Sequence, residues 1–169
     1  MKLSFTAFRV NCTHPFGISR GSHDYYDIVY VYLEGEGIIG RGEAAPSARY
    51  NEFIEGITKI LEEGISLPDT MDDPVEFSNV VLPQSKGIKS LEVALSMAIL
   101  AWWCQKEGIT LYQYFGANPD KTPKTSFTIS IGDMDPIPEK VAEASPYHIL
   151  KIKLGMGEKE DKAISVSDF

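Results

Sequence analysis

Residues 25–45, YYDIVYVYLEGEGIIGRGEAA, decide the fold of the N-terminal part because they hold two strand-like runs around one short turn. Residues 25–33 are rich in Val, Ile and Tyr, which favour β-strands. Residues 34–37, Glu-Gly-Glu-Gly, supply glycines that can adopt the positive φ of a hairpin turn. Residues 38–45 then predict a return strand, so the stretch predicts an antiparallel hairpin.

The residues before this hairpin predict one more strand. Residues 2–11 alternate between apolar and polar side chains, as a half-buried strand does. A turn-rich stretch with His, Pro and two Gly residues, 14–22, separates this run from the hairpin and is expected to be a loop. The chain is therefore predicted to open with a three-stranded antiparallel meander.

Helical periodicity follows the meander. Asn51 is expected to cap a helix that runs to about Glu63, where Gly64 follows. Residues 72–81 predict a short helix with a proline in its first turn. Residues 90–107 are apolar on almost every side, which predicts a helix buried all round. Residues 111–115 predict one further helical turn.

The pattern changes after Gly116. A strand–helix–strand–helix order follows, over residues 125–131, 136–144, 147–154 and 158–166. This order predicts parallel strands. The fold class is therefore an α+β domain over residues 1–118, joined by a short linker to the first two βα units of a second domain over residues 122–169.

Composition narrows the classes of function. The 169 residues carry a formal net charge of -8, and the 16 Lys and Arg residues are scattered, which argues against nucleic acid as a partner. The two cysteines are far apart without metal-ligand spacing, so neither a zinc site nor a disulfide framework is expected. No apolar run is long enough to span a membrane, and no signal peptide is recognisable, so we expect a cytoplasmic protein without a membrane partner.

The most suggestive chemical feature is Lys151-Ile152-Lys153 in the second predicted parallel strand. Residues i and i+2 of a strand point to the same face, so the two amines are held side by side. Like charge and burial both favour a neutral amine, which can act as a general base. If the strands belong to a barrel, the lysines face inward near its carboxyl end, where barrel enzymes keep their active sites.

Five motifs together resemble one family. They are, in chain order, PFGISRGS at 15–22, GRGEAAP at 40–46, RYNE at 49–52, TSFTISIG at 125–132 and KIKL at 151–154. The series resembles the dipeptide epimerases of the enolase superfamily, in the muconate-lactonising-enzyme subgroup, with the L-Ala-D/L-Glu epimerases as the most similar group. The resemblance covers nearly the whole chain.

The resemblance implies a capping domain followed by a (β/α)₇β TIM-like barrel. It also implies a Mg²⁺-dependent isomerase that moves the proton on the carbon α to a carboxylate. Lys153 matches the acid/base lysine and Lys151 its partner, which contacts the substrate carboxylate. Thr128 matches a threonine that helps to bind the substrate.

Two loops of the capping domain choose the dipeptide substrate in this family. The first corresponds to residues 16–24, where Arg20 is a candidate for a substrate carboxylate. His23 stands where some relatives carry a second Arg, so the motif does not fix L-Ala-L-Glu as the substrate. The second loop corresponds to residues 46–52, with Arg49 and Tyr50 as candidates. Family members commonly assemble as homo-oligomers.

The family's metal ligands and second lysine lie on later barrel strands, so the resemblance places no metal ligand in this chain. Two of eight strands cannot close a barrel. We therefore expect the 169 residues alone to be a truncated, frameshifted or partial form that binds no catalytic Mg²⁺ and epimerises nothing. Two alternatives stay open: an o-succinylbenzoate synthase or muconate-lactonising enzyme, and a non-catalytic binding module made mainly of the capping domain.

Overall fold

The computed structural model describes residues 1–18, 21–130, 141–155, 157–158 and 161. Its strands are β1 (Lys2–Ile18), β2 (Gly21–Gly35), β3 (Ile38–Ala44), β4 (Ser126–Ile129) and β5 (Ile149–Ile152). Its α-helices are α1 (Ile54–Glu63), α2 (Pro74–Val81), α3 (Lys89–Glu107) and α4 (Leu111–Tyr114). The chain divides into two compact units: unit 1 is Met1–Val10 with Asp27–Pro119, and unit 2 is Asn11–Tyr26 with Asp120–Phe169.

The antiparallel meander predicted from the sequence is confirmed. The strand order is β1-β2-β3, and β2 pairs with β3 from Val29 opposite Ala44 to Gly35 opposite Ile38. The tight turn at Glu36 and Gly37 has positive φ at both residues, 52° and 76°. Asparagine or glycine is the usual choice there, and Gly37 fills one of the two positions.

The loop predicted over residues 14–22 is wrong, because β1 and β2 extend through most of it. Local turn signals are outweighed here by continued pairing between the two strands. Pro15 does not interrupt the pairing because β1 is the edge strand, where a missing N–H need not face a neighbouring strand. Residues 11–18 of β1 and 21–26 of β2 are called the hairpin arm below, and they belong to unit 2.

Helix α3 forms the centre of unit 1. Its residues Leu91, Leu95, Ile99 and Trp102 are almost fully buried and pack with Val29, Val31 and Leu33 of β2 in one apolar core. The Trp102 indole Nε1 donates a hydrogen bond of 3.0 Å to the Gly35 carbonyl. The prediction that α3 is buried all round is wrong, because Val93 and Met97 are 53% and 46% exposed.

Two glycines of β3 allow α3 to lie directly on the sheet. A Cβ at Gly40 would be 2.6 Å from the Trp102 backbone nitrogen and would overlap the Ala98 carbonyl oxygen. A Cβ at Gly42 would overlap the Ala94 carbonyl oxygen. Only glycine permits this approach of helix and strand backbones. The Gly-Arg-Gly motif at 40–42 therefore has a packing role.

The helix starts differ from the predictions in one case. Asn51 does not cap α1: it has a left-handed φ of 56° and ends a 3-10 turn at Ala48–Tyr50, and α1 begins at Ile54 without a side-chain cap. Helix α2 begins with Pro74 in its first turn, as predicted. Its cap is Asp73, whose Oδ1 accepts hydrogen bonds from the backbone nitrogens of Val75 at 2.7 Å and Glu76 at 2.9 Å.

The parallel strand pair predicted for the second part is confirmed. Strands β4 and β5 pair in parallel register, from Ser126 opposite Ile149 to Ile129 opposite Ile152. The helices predicted at 136–144 and 158–166 fall mainly outside the described residues; of the first, residues 141–143 are helical. The predicted fold class, an α+β capping domain followed by the first strands of a barrel, is confirmed by this architecture.

The part of the chain that the structure describes holds the four α-helices α1 to α4. None of its helices has both the length and the apolar character that a bilayer crossing demands.

Candidate functional site

The parallel register of unit 2 brings two predicted site residues together. Thr128 of β4 is the direct partner of Lys151 of β5. The backbone nitrogen of Lys153 donates a hydrogen bond of 3.0 Å to the Ile129 carbonyl, which continues the pairing beyond the end of β5. Because side chains alternate along strands, Thr128, Lys151 and Lys153 lie on one face of this strand pair.

The exposure of this face differs from the prediction for a buried strand. Lys151 is exposed, and Lys153 and Thr128 are half-buried. Ile149 and Leu154, before and after the lysines, are 47% and 51% exposed. Among the described residues β5 has a strand partner on one side only, so neighbouring chain does not cover Lys151. The burial expected to favour a neutral amine is therefore not provided around Lys151.

The hairpin arm attaches to the carboxyl end of β4. The Ser130 hydroxyl donates a hydrogen bond of 3.0 Å to the Pro15 carbonyl of the arm, and Ser130 is only 8% exposed. His14 Nε2 lies 2.8 Å from the Glu143 carboxylate, which adds a second tie within unit 2. Ser130 was not singled out from the sequence, although it lies within the motif at 125–132. The sequence predicted a strand over 125–131 that included Ser130, and it held no signal for the burial of this hydroxyl.

Of the substrate residues predicted in the first loop, His23 lies on this arm. His23 is exposed, and its ring centroid lies 5.5 Å from that of Tyr26. Burial and electrostatic repulsion from Cys12 raise the pKa of the Tyr26 phenol. Arg20 lies outside the described residues.

The turn that follows β5 is held by a carboxylate. Asp161 accepts a hydrogen bond from the Gly155 backbone nitrogen, at 2.9 Å to Oδ1 and 3.1 Å to Oδ2. Its own backbone nitrogen donates to the Gly157 carbonyl at 2.9 Å. Gly155 has a φ of 122°, a conformation that other residues rarely adopt. Asp161 thus has a structural role just after the lysine pair.

The second predicted loop lies in unit 1. The Arg49 guanidinium carbon is 5.8 Å from the centroid of the Tyr50 ring, and Tyr50 is 70% exposed. The loop borders a cavity of about 580 Å³, whose lining includes Glu43, Ser47, Tyr50, Glu52, Lys89 and Ser90. The structure therefore brings Arg49 and Tyr50 together, and of the two only Tyr50 lines the cavity.

A Mg²⁺ centre in a protein is built from oxygen ligands, usually including carboxylates. Within residues 1–18, 21–130 and the described parts of 141–161, no three His, Cys, Asp or Glu side chains are grouped so that they could hold a metal ion. The described residues therefore do not fit such a centre.

The chain is similar to several known proteins. No protein-family model matches the chain. An L-Ala-D/L-amino acid epimerase of Flavobacterium johnsoniae is 32% identical over 160 residues, which cover 94% of this chain and 47% of that protein. Among solved structures, an enolase family member of Agrobacterium tumefaciens with homology to dipeptide epimerases has a TM-score of 0.71 and 28% identity, covering 97% of this chain and 49% of its own. That structure holds sodium and L-Ala-L-Glu.

A third similarity concerns the fold. The dipeptide epimerase of Cytophaga hutchinsonii, solved with Mg and D-Ala-L-Val, has a TM-score of 0.76 at 24% identity, over 95% of this chain and 45% of its own. The chain thus spans about half the length of the relatives that it matches. Over nearly all of its own length, the chain is homologous to the dipeptide epimerases of the enolase superfamily, as its sequence motifs predicted.

Proposed function

We propose that the protein carrying this sequence is a dipeptide epimerase, an isomerase that transfers the proton on the carbon α to a carboxylate. The observation that carries the proposal is the parallel register of β4 and β5. It sets Thr128 beside Lys151 and puts both lysines on one face of the strand pair. Homology to enzymes named epimerases supplies the reaction class.

In this proposal Lys153 is the acid/base residue. Its neutral amine takes the α proton, so that a C–H bond breaks, an N–H bond forms, and the electron pair moves into the substrate carboxylate. Lys151, next on the same face, pairs its ammonium with that carboxylate. Thr128, opposite Lys151, offers a hydroxyl for a substrate hydrogen bond. Return of a proton to the other side of the carbon requires a second acid outside the described residues.

The substrate class is a dipeptide, which the related structures bind in forms as different as L-Ala-L-Glu and D-Ala-L-Val. We propose His23, Arg49 and Tyr50 as substrate contacts, and Arg20 with them. Arg suits a carboxylate because its planar guanidinium can donate two parallel hydrogen bonds. The choice of dipeptide, assembly into homo-oligomers and a cytoplasmic location stay predictions.

We also propose that the whole protein depends on Mg²⁺, as a related epimerase was solved with Mg beside its dipeptide. The family pattern assigns the metal ligands to later barrel strands. We propose residues 1–118 as the capping domain and 122–169 as the start of the barrel. Removal of Mg²⁺ with a chelator is then expected to abolish epimerisation by the full-length protein.

The experiment that tests the function is deuterium exchange at the α carbon. L-Ala-L-Glu and L-Ala-L-Val are incubated with the full-length protein and Mg²⁺ in deuterated water, and exchange is followed by proton NMR. Lys153→Ala is expected to slow exchange by roughly 10²- to 10⁴-fold, the usual contribution of a general acid–base group. Lys124→Ala is the matched control, since Lys124 is an exposed lysine shortly before β4. Wild-type exchange in Lys153→Ala would refute the assignment.

The 169-residue chain by itself is proposed to be inactive. The described residues hold two parallel strands, β4 and β5, which cannot close a barrel, and they do not include the second acid of the proposed reaction. Turnover of a dipeptide by these residues alone would contradict this part of the proposal, without touching the role of Lys153.

A further inference from the structure

Helix α3 begins without a cap of its own. Its N-cap position is Ile88, whose side chain has no oxygen and makes no capping hydrogen bond. The first backbone N–H groups of any helix lack partners within the helix, so they need acceptors from elsewhere. Because α3 contributes more residues to the buried core of unit 1 than any other element, the stability of this helix start matters to the whole unit.

Glu52 supplies the missing acceptor from 37 residues away. One carboxylate oxygen, Oε1, accepts the backbone N–H of Lys89 at 2.6 Å, and Oε2 accepts that of Ser90 at 3.2 Å. A carboxylate at this end is favourable because the helix dipole is positive at its N-terminus. Hydrogen bonds to an ionised acceptor are also stronger than neutral ones. Glu52 therefore binds the start of α3 with both of its oxygens.

The same residue ends the loop that carries Arg49 and Tyr50. The loop is a short 3-10 turn, closed by hydrogen bonds to the Ser47 carbonyl from the backbone nitrogens of Tyr50 at 2.9 Å and Glu52 at 3.2 Å. Tyr50 is 70% exposed, so packing does little to fix its ring. The Glu52 carboxylate thus joins this exposed turn to the buried helix.

We propose that Glu52 is a positioning residue. By binding the N-terminus of α3, it holds the turn at 48–50 in place, and Tyr50 with that turn. Tyr50 is thereby kept at the edge of the cavity that is lined by Tyr50, Glu52, Lys89 and Ser90. The effect of Glu52 on substrate binding rests on the proposed epimerase function. Its effect on the loop does not, because the hydrogen bonds lie within unit 1.

The first test measures backbone hydrogen exchange by mass spectrometry on the full-length protein. Glu52→Ala is expected to speed exchange of the amides in residues 47–52 and of Lys89 and Ser90. The matched control is Asp73→Ala, which removes another capping carboxylate of unit 1, on α2, that holds no loop. Asp73→Ala is expected to leave exchange in residues 47–52 unchanged. Glu52→Gln keeps the side-chain volume and one acceptor oxygen, so it is expected to show a smaller increase.

The second test separates positioning from general stability. With an active wild type, Glu52→Ala is expected to raise KM for the dipeptide roughly tenfold, the scale of one lost charge-assisted hydrogen bond, and to change kcat less. Glu52→Gln is expected to restore part of the affinity, and Asp73→Ala is expected to leave KM unchanged.

The outcomes divide cleanly. Loop exchange that stays at the wild-type rate in Glu52→Ala overturns the proposal, and so does equal loop exchange in Asp73→Ala, which would show general destabilisation. Should Glu52→Ala fail to fold, Glu52→Gln gives the same two readings. A wild type that epimerises nothing refutes the proposed function, and the exchange data then decide the role of Glu52 alone.

Discussion

Gly42 is the position at which a single added methyl group should do most damage. A Cβ built on Gly42 overlaps the Ala94 carbonyl oxygen and lies 2.7 Å from the Ala94 carbonyl carbon and 3.0 Å from its Cα. All three atoms belong to the backbone of α3, so no rotation of a side chain can relieve the contact. Gly42→Ala therefore forces helix and strand apart through the centre of the unit 1 core.

The loss in the free energy of unfolding caused by Gly42→Ala can be estimated from the known cost of overpacking a core. Extra methylenes in a packed core cost about 1–3 kcal/mol where side chains can adjust. Here the contact is with backbone, which places Gly42→Ala at about 3 kcal/mol or above. For a domain near 100 residues each kcal/mol lowers Tm by about 4–8 °C, so Tm is expected to fall by roughly 12 °C or more.

The measurement is thermal unfolding followed by circular dichroism, with urea unfolding at 25 °C for the free energy. Gly56→Ala is the matched control. Gly56 lies within α1, and its added Cβ would be 3.4 Å from Cδ1 of Ile88, which is the end of a flexible side chain. Replacing a helical glycine with alanine stabilises by about 0.5–1 kcal/mol, so this variant is expected to be as stable as the wild type or more stable. Equal Tm values for Gly42→Ala and the wild type would refute the close approach of α3 to β3.

Two further predictions concern titratable groups. Burial raises the pKa of the Glu52 carboxyl, but hydrogen bonds from Ser90 and Lys89 lower it by more, so the net pKa lies below the ordinary value. Its stabilising contribution is therefore complete above the ordinary Glu pKa of about 4.3 and is lost as pH falls through the lower pKa of the folded state. Urea unfolding between pH 6 and 3 should show a smaller loss of stability in Glu52→Gln than in the wild type. An equal dependence of stability on pH in the two proteins would contradict this. Burial also raises the pKa of the Cys104 thiol, which is 5% exposed, whereas Cys12 is half-buried. An aromatic disulfide reagent at pH 8 is expected to modify Cys12 first and Cys104 only as unit 1 opens, because the thiolate is the reactive form; a single rate for both thiols would show that this burial is wrong.

The elements of unit 1 could be predicted from the sequence where one local signal stood alone. Residues 34–37 offered only a turn, and a turn formed between β2 and β3. Pro74 offered only a helix start, and α2 begins there. Helix α3 could be predicted from its long apolar run and from Gly108 after its end, and Gly108 has a left-handed φ of 64°. In each case the tertiary structure agreed with the local preference.

The predictions that were wrong lie where two signals competed. The stretch 14–22 has turn residues, yet its neighbours on both sides are strand formers, and pairing between β1 and β2 prevailed. Asn51 is a good helix cap and also one of the few residues that tolerate a left-handed φ, and the structure uses the second property. Composition alone cannot rank such alternatives, because the deciding energy comes from partners distant in sequence.

The candidate site also has one feature that the sequence predicts by itself and one that depends on strand pairing. Because residues i and i+2 of a strand point to the same face, the sequence alone predicted that Lys151 and Lys153 share a face, whatever strand lies beside them. That Thr128 is the residue beside Lys151, 23 positions later in the sequence, depends on the register between β4 and β5. The alternation of side chains does not fix this register, because a shift by two residues preserves the alternation. The Lys153 N–H to Ile129 carbonyl bond continues this register at the carboxyl end, next to Ser130, which is tied to the arm at Pro15. A two-residue slip would keep both lysines on the same face but would take Thr128 away from Lys151. The family motif could supply the residues of the site, whereas their adjacency is a property of the fold.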